Sequence, residues 1–166
     1  MLLNNFYNLW AYISNHYNFS GQVTAFIDVS LKDQSGEAAE IPSQGSASLI
    51  NPTYIVFKGL SAKLGDGEVE PDVDDYSLSG NELTFSNYTC TYDVGSDDGK
   101  NVVTMTISGY NTGSTAKTIS EILVTKNIQN QSYYENPLAI ARELLEEPIV
   151  VEPSTGFSRT IQIVFQ

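Results

Sequence analysis

The chain of 166 residues has one cysteine (Cys90), one histidine (His16) and one tryptophan (Trp10), with 8 lysines and arginines against 20 aspartates and glutamates. A single cysteine closes no internal disulfide, so stability must come from a core. A domain of this length buries roughly two-thirds of the surface its unfolded chain exposes. One cysteine and one histidine do not supply the usual nitrogen and sulfur ligands of a zinc site. A Ser-His-Asp or Cys-His arrangement would have to recruit His16 from an uncharged aromatic stretch with no carboxylate near it in sequence. No phosphate-binding loop, dinucleotide fingerprint, HExxH or GxSxG pattern occurs. No enzyme activity is therefore expected. The formal net charge of −12 comes with no basic cluster, which argues against nucleic acid and against an anionic membrane surface as partners.

Long hydrophobic runs are also missing. Residues 1–27 carry no Asp, Glu, Lys or Arg, yet Asn4, Asn5, Asn8, Ser14, Asn15 and Asn18 interrupt them too often for a bilayer span. The basic start and continuous apolar run of a secretory signal are not seen there either. What the segment does have is Leu3, Phe6, Trp10, Ile13 and Tyr17 at spacings of 3, 4, 3 and 4. On a helix these form one seam suited to a partner surface, and Leu2, Tyr7 and Leu9 widen it. The spacing predicts a short amphipathic helical arm over residues 1–20, followed by a separate domain over 21–166. Such a helix is too short to be stable alone. It packs either on its own domain or on another chain, with Trp10 and its aromatic neighbours as anchors.

Carboxylates are plentiful. Asp66, Glu68, Glu70, Asp72, Asp74 and Asp75 fall within ten residues with no Lys or Arg among them, and Asp93, Asp97 and Asp98 form a second group. Calcium takes six to eight oxygen ligands, but neither group has EF-hand spacing. They read as a solvated acidic loop and, at Asp98-Gly99, a hairpin tip. No cofactor is expected, and Ca2+ is the one cation the composition leaves open. Cys90 sits in an alternating segment and reads as a small buried hydrophobe.

Beyond residue 21 the apolar period becomes two. Strands are expected over 22–31, 49–58, 82–92, 101–110, 118–125 and 156–165, with the third and fourth forming a hairpin. On 101–110, Val103, Met105 and Ile107 share one face; on 156–165, Phe157, Ile161, Ile163 and Phe165 do. Residues 32–46 read as a polar loop. Residues 138–147 have high helix propensity and also alternate through Leu138, Ile140, Arg142 and Leu144, so periodicity leaves them open. The expected fold is all-β, a β-sandwich of jelly-roll or immunoglobulin-like type with a short N-terminal amphipathic helix.

Three segments resemble a recurrent class of small β-sandwich structural proteins of tailed bacteriophages. Leu64-Gly65-Asp66-Gly67 with Pro71-Asp72-Val73-Asp74-Asp75-Tyr76-Ser77-Leu78 is similar to a GxG…P…DYxL signature. Asn111-Thr112-Gly113-Ser114 before Ile119-Ser120-Glu121-Ile122 resembles a polar turn leading into a strand that reads SEI. The third segment, from Ala141-Arg142-Glu143-Leu144 to Pro153, looks like ARxxLxxPVxVxPG, with the final glycine displaced to Gly156. The resemblance spans about residues 54–166 and does not include the aromatic arm. It implies that 138–147 is extended. It also implies a virion component (capsid accessory, head fibre, neck or tail) that is homo-oligomeric and docks on copies of itself and on neighbouring virion proteins. In that setting the arm residues Leu3, Phe6, Trp10, Ile13 and Tyr17 are the expected docking contacts. The alternative is a β-sandwich module that binds host glycans or a receptor through its tyrosines and tryptophan.

Overall fold

A computed structural model describes residues 1–16, 31–38, 59–97, 100–126 and 137–165. Of the strand expected over 22–31 only Leu31 is described; the strand expected over 49–58, most of the 32–46 loop, Tyr17 and the hairpin tip Asp98-Gly99 lie outside the described residues. Among the described residues are one helix, α1 (Asn4–His16), and the strands β1 (Leu60–Gly65), β2 (Glu82–Leu83), β3 (Ser86–Asp97), β4 (Lys100–Asn111), β5 (Lys117–Lys126), β6 (Leu138–Val151) and β7 (Thr155–Phe165). They form two antiparallel sheets, ordered β2-β1-β5-β6 and β3-β4-β7. The fold is an all-β sandwich with one short N-terminal helix, as the sequence pattern predicts.

Side-chain alternation explains the three-stranded sheet. Val103, Met105 and Ile107 of β4 are fully buried, while Thr106 faces solvent. Burying each such apolar side chain contributes about 1.5–3 kcal/mol. The register sets Met105 beside Tyr92 of β3 and Ile161 of β7. A slip of one residue would send this whole apolar set to water. Asp97 pairs with Lys100, so β3 and β4 form the expected hairpin with a two-residue connection. The strand expected over 82–92 is interrupted by Thr84 and Phe85. Phe85 packs edge-on against Phe157 at 4.8 Å, and Asn87 takes φ 51° where the register shifts between Ser86 and Thr89. Gly109 lies beneath this pair. A Cβ there would stand 2.8 Å from Phe85 Cβ, so only glycine admits the ring so close.

The four-stranded sheet is read less directly from sequence. β5 lies between β1 and β6 and is buried continuously from Ile119 to Lys126, the pattern of a strand covered on both faces. β6 resolves the ambiguous segment as strand. Leu138, Ala139, Ile140, Ala141 and Arg142 are all buried in succession, which an amphipathic helix with a polar face does not provide, and sheet pairing overrides the local helix propensity. Its Pro148 is tolerated because β6 ends the sheet order. β1 is an additional strand, in which Leu60, Ala62 and Leu64 are buried and Ser61 is exposed.

Contacts divide the chain into two compact units. One comprises Met1–Leu60, Pro71–Ser77 and Leu123–Arg142; the other comprises Ser61–Glu70, Leu78–Ile122 and Glu143–Gln166. Within the second unit strands of both sheets meet: the Tyr88 hydroxyl of β3 donates to the Ala62 carbonyl of β1 at 2.6 Å.

Candidate functional site

The first unit holds the aromatic arm. Leu2 forms an isolated antiparallel bridge with Ala141, Leu3 N donates to Ile140 O at 3.0 Å, and Arg142 N donates to Met1 O at 2.9 Å. The first residues therefore cover an edge of β6 before α1 begins, satisfying groups that an exposed edge leaves open. Asn5 is buried and locks the helix to the next described segment. Its amide donates to Lys32 O at 2.7 Å and its carbonyl accepts from Lys32 N at 2.9 Å. Leu3, Phe6 and Leu9 are buried beside it. Of the five residues expected on the docking seam, Leu3 and Phe6 thus pack in cis. Trp10 stacks on Phe6 with ring centroids 6.4 Å apart and is 38 % exposed. Ile13 lies on the helix, with its side chain outside what is described, as is Tyr17. Tyr7, on the same helix, is 53 % exposed. Among the described side chains of α1, Tyr7 and Trp10 form the outward aromatic pair.

The acidic loop is organised by hydrogen bonds. In the first unit, Asp72 caps the turn that follows it by accepting from Asp74 N at 3.0 Å. Asp74 accepts from the Asn4 amide at 2.7 Å. Asp75 pairs with the buried guanidinium of Arg142 at 2.5 Å, so the DYxL and ARxxL segments are joined by an ion pair. Asn4, Asn5, Asn8, Lys32, Val73, Asp74, Asp75 and Tyr76 line a pocket of about 270 Å³. That volume suits a small polar solute, but Asn4, Asn5, Asp74 and Asp75 already bond to the protein itself. Among the described residues no three His, Cys, Asp or Glu side chains converge as a metal site.

In the second unit the GxG segment serves Glu121 of β5. The Glu121 side chain is fully buried, and its carboxylate accepts from Gly67 N at 3.2 Å, Ser79 N at 3.1 Å, Ser79 Oγ at 3.1 Å and Gly80 N at 2.8 Å. An ionised carboxylate is an acceptor only, which suits this ring of donors. Gly67 lets the backbone approach: a Cβ there would stand 2.3 Å from Glu121 Oε1 and 2.0 Å from Ser79 Oγ. Asp66, next to it, accepts from Asn81 N at 2.6 Å and from the Asn81 amide at 3.1 Å. The Asn81 side-chain and backbone hydrogen bonds hold its carboxyl below the usual carboxylate range. Asn111 opens the second motif and is also fully buried. Its amide donates to Val151 O at 2.8 Å and Thr115 O at 2.9 Å, and its carbonyl accepts from Gly113 N at 3.0 Å. It ties two turns together.

Cys90 is half-buried on β3. Burial pushes its thiol pKa up, partly offset by a hydrogen bond to the Ala62 backbone. Burial likewise raises the Tyr88 phenol, with smaller contributions from Cys90 and Glu82. Both groups stay neutral at physiological pH. Glu121, Asn111 and the Asp75–Arg142 pair were visible in the sequence only as letters of the three motifs. Nothing local marks a carboxylate whose donors come from 41 to 54 residues away. Comparison with family models, curated proteins and solved structures returns no match for this chain.

Proposed function

We propose that the chain is a structural component of a tailed-bacteriophage virion, acting by docking on copies of itself and on neighbouring virion proteins. The observation that carries this reading is the use made of the three phage-like segments. Gly67, Glu121 and Asn111 in one unit, and Asp75 and Arg142 in the other, all act as ties of the fold. The segments thus share a framework role, as expected of a scaffold whose work is done by shape. The outward Tyr7 and Trp10 of α1 supply an aromatic docking surface, and aromatic side chains are the residues that most often anchor such contacts.

Mass spectrometry of gradient-purified particles, grown from the genome that encodes the chain, tests the placement. Peptides from this chain in fixed proportion to shell and tail proteins support it. Their presence in the infected-cell lysate but not in particles overturns it.

A further inference from the structure

We infer that the outer face of the β3-β4-β7 sheet is a binding surface for uncharged polysaccharide, a chain of neutral hexopyranoses laid along the strands. The inference does not rest on the virion placement. Its basis is the register. Thr91, Thr106 and Thr160 form one row across the three strands, and Thr89, Ser108 and Ser158 form the next. Strand spacing puts neighbouring hydroxyls in a row about 5 Å apart and successive rows about 7 Å apart. Thr89, Thr91, Thr106, Ser158 and Thr160 are exposed, and Ser108 on the central strand is partly so.

Two observations orient these hydroxyls. Thr89 Oγ1 and Ser108 Oγ lie 2.7 Å apart, and Thr106 Oγ1 and Thr160 Oγ1 lie 3.3 Å apart. In each pair one hydroxyl donates to the other, which leaves the pair one further hydrogen to donate and several lone pairs to accept with. β-branched threonine is stiff at χ1, so much of this geometry is set before anything binds. A sugar hydroxyl, itself donor and acceptor, matches such a pair whichever way its proton points.

Tyr110 continues the same face at the next row, opposite Gly156. Its hydroxyl donates to Ser154 O at 2.6 Å, which pins the ring. A Cβ on Gly156 would be 3.6 Å from Tyr110 Cδ2, so the ring lies close over that glycine. It is 37 % exposed and forms a fixed aromatic platform at the end of the hydroxyl rows, suited to the apolar face of a pyranose ring.

Charge selects the class of ligand. In a chain of net charge −12, the outward-facing rows from Tyr110 to Thr104 carry a single charge, Asp93, opposite Thr104, while Arg159, opposite the inward Ile107, alternates to the other face. Covering hydroxyls that regain hydrogen bonds costs far less than covering charges. A neutral polymer also meets no repulsion from the acidic surroundings, whereas an acidic one does.

The test is an array of neutral hexose and N-acetylhexosamine oligosaccharides probed with the full chain, followed by titration of the bound oligosaccharides against variants. Thr106→Val with Thr160→Val preserves shape and strand preference while removing two hydroxyls, and is expected to weaken binding roughly tenfold. Tyr110→Ala is expected to weaken it at least as much. Circular dichroism and the melting transition check that each variant is folded. Val150→Thr, exposed on β6 of the other sheet, should leave affinity unchanged. Absence of binding to every neutral oligosaccharide overturns the inference. So does binding that persists in both folded sheet variants, and so does loss of binding only in the β6 variant.

Discussion

At the level of single residues, the largest energetic consequence attaches to Glu121. Four donors converge on a carboxyl group that water does not reach, so replacing one of its oxygens by an amide NH2 sets donor against donor. Glu121→Gln, nearly isosteric, is expected to cost about 2–4 kcal/mol in urea unfolding. A loss below about 0.5 kcal/mol would mean that the loop finds other acceptors. Asp66 makes a pH-dependent contribution of known sign. Its pKa is lower in the fold than in the unfolded chain, so the stability from its Asn81 bonds is present above about pH 4 and is lost as pH falls through the native value. The Asn81 side-chain amide, followed by NMR, should titrate with a midpoint below about 4; a midpoint at or above that value removes the clamp. Cys90 behaves oppositely, since burial keeps the thiol protonated. Its reaction with a disulfide reagent at neutral pH should be slower than that of an unfolded control peptide and should accelerate only at alkaline pH.

At the level of elements, β6 shows how far a local pattern reaches. Leu138, Ile140 and Leu144 alternate like a strand, yet Ala139, Ala141 and Glu143 have the propensity of a helix, and no window of ten residues decides between them. Pairing beside β5 decides it. The Arg142 guanidinium then has to be neutralised where it is buried, and Asp75 does so at 2.5 Å. Arg142→Met keeps the volume and removes the charge. It removes the ion-pair partner of Asp75, which still accepts from Asp72 N at 2.8 Å and, at 28 % exposure, stays partly hydrated. The expected loss is about 1–3 kcal/mol, below that of a fully buried pair, measured by chemical denaturation. A stabilised variant would show that desolvating the pair costs more than its attraction returns. α1 illustrates the complementary point. The 3-4-3-4 spacing correctly marks a helix, but the buried side is defined by Leu3, Asn5, Phe6 and Leu9, because the Asn5 amide fits the Lys32 backbone. A polar residue at the centre of a buried face is invisible to apolar periodicity.

For the molecule as a whole, charge bears on the docking proposed above. Copies with a net charge of −12 repel one another, so self-association is expected to strengthen as ionic strength rises from low to physiological, where the Debye length is about 8 Å. Light scattering on size-separated protein measures it. Trp10 is the sole tryptophan, so its emission reports on α1 directly. Association through the outward face of α1 should shift that emission to the blue and reduce acrylamide quenching, and Tyr7→Ala with Trp10→Ala should shift the equilibrium toward monomer. Assembly that leaves the emission unchanged would place the interface elsewhere. Deleting the arm is a poorer experiment, because Leu3, Phe6 and Leu9 belong to the core of their unit.

The sequence by itself determined the all-β class, the strands β4, β5 and β7, the β3–β4 hairpin and the helical nature of the arm. Each of these is written in neighbouring residues, as a period of two, a period near 3.6 or a turn-forming Asp-Gly pair. Tertiary structure alone decided that residues 138–147 are strand, that the start of the arm covers the edge of β6, and that Gly67 closes on Glu121 and Asp75 on Arg142. Those outcomes depend on donors, acceptors and apolar faces 54, 67 or more residues away along the chain, and a hydrogen bond or ion pair across such a distance exists only once the backbone has brought its two ends together.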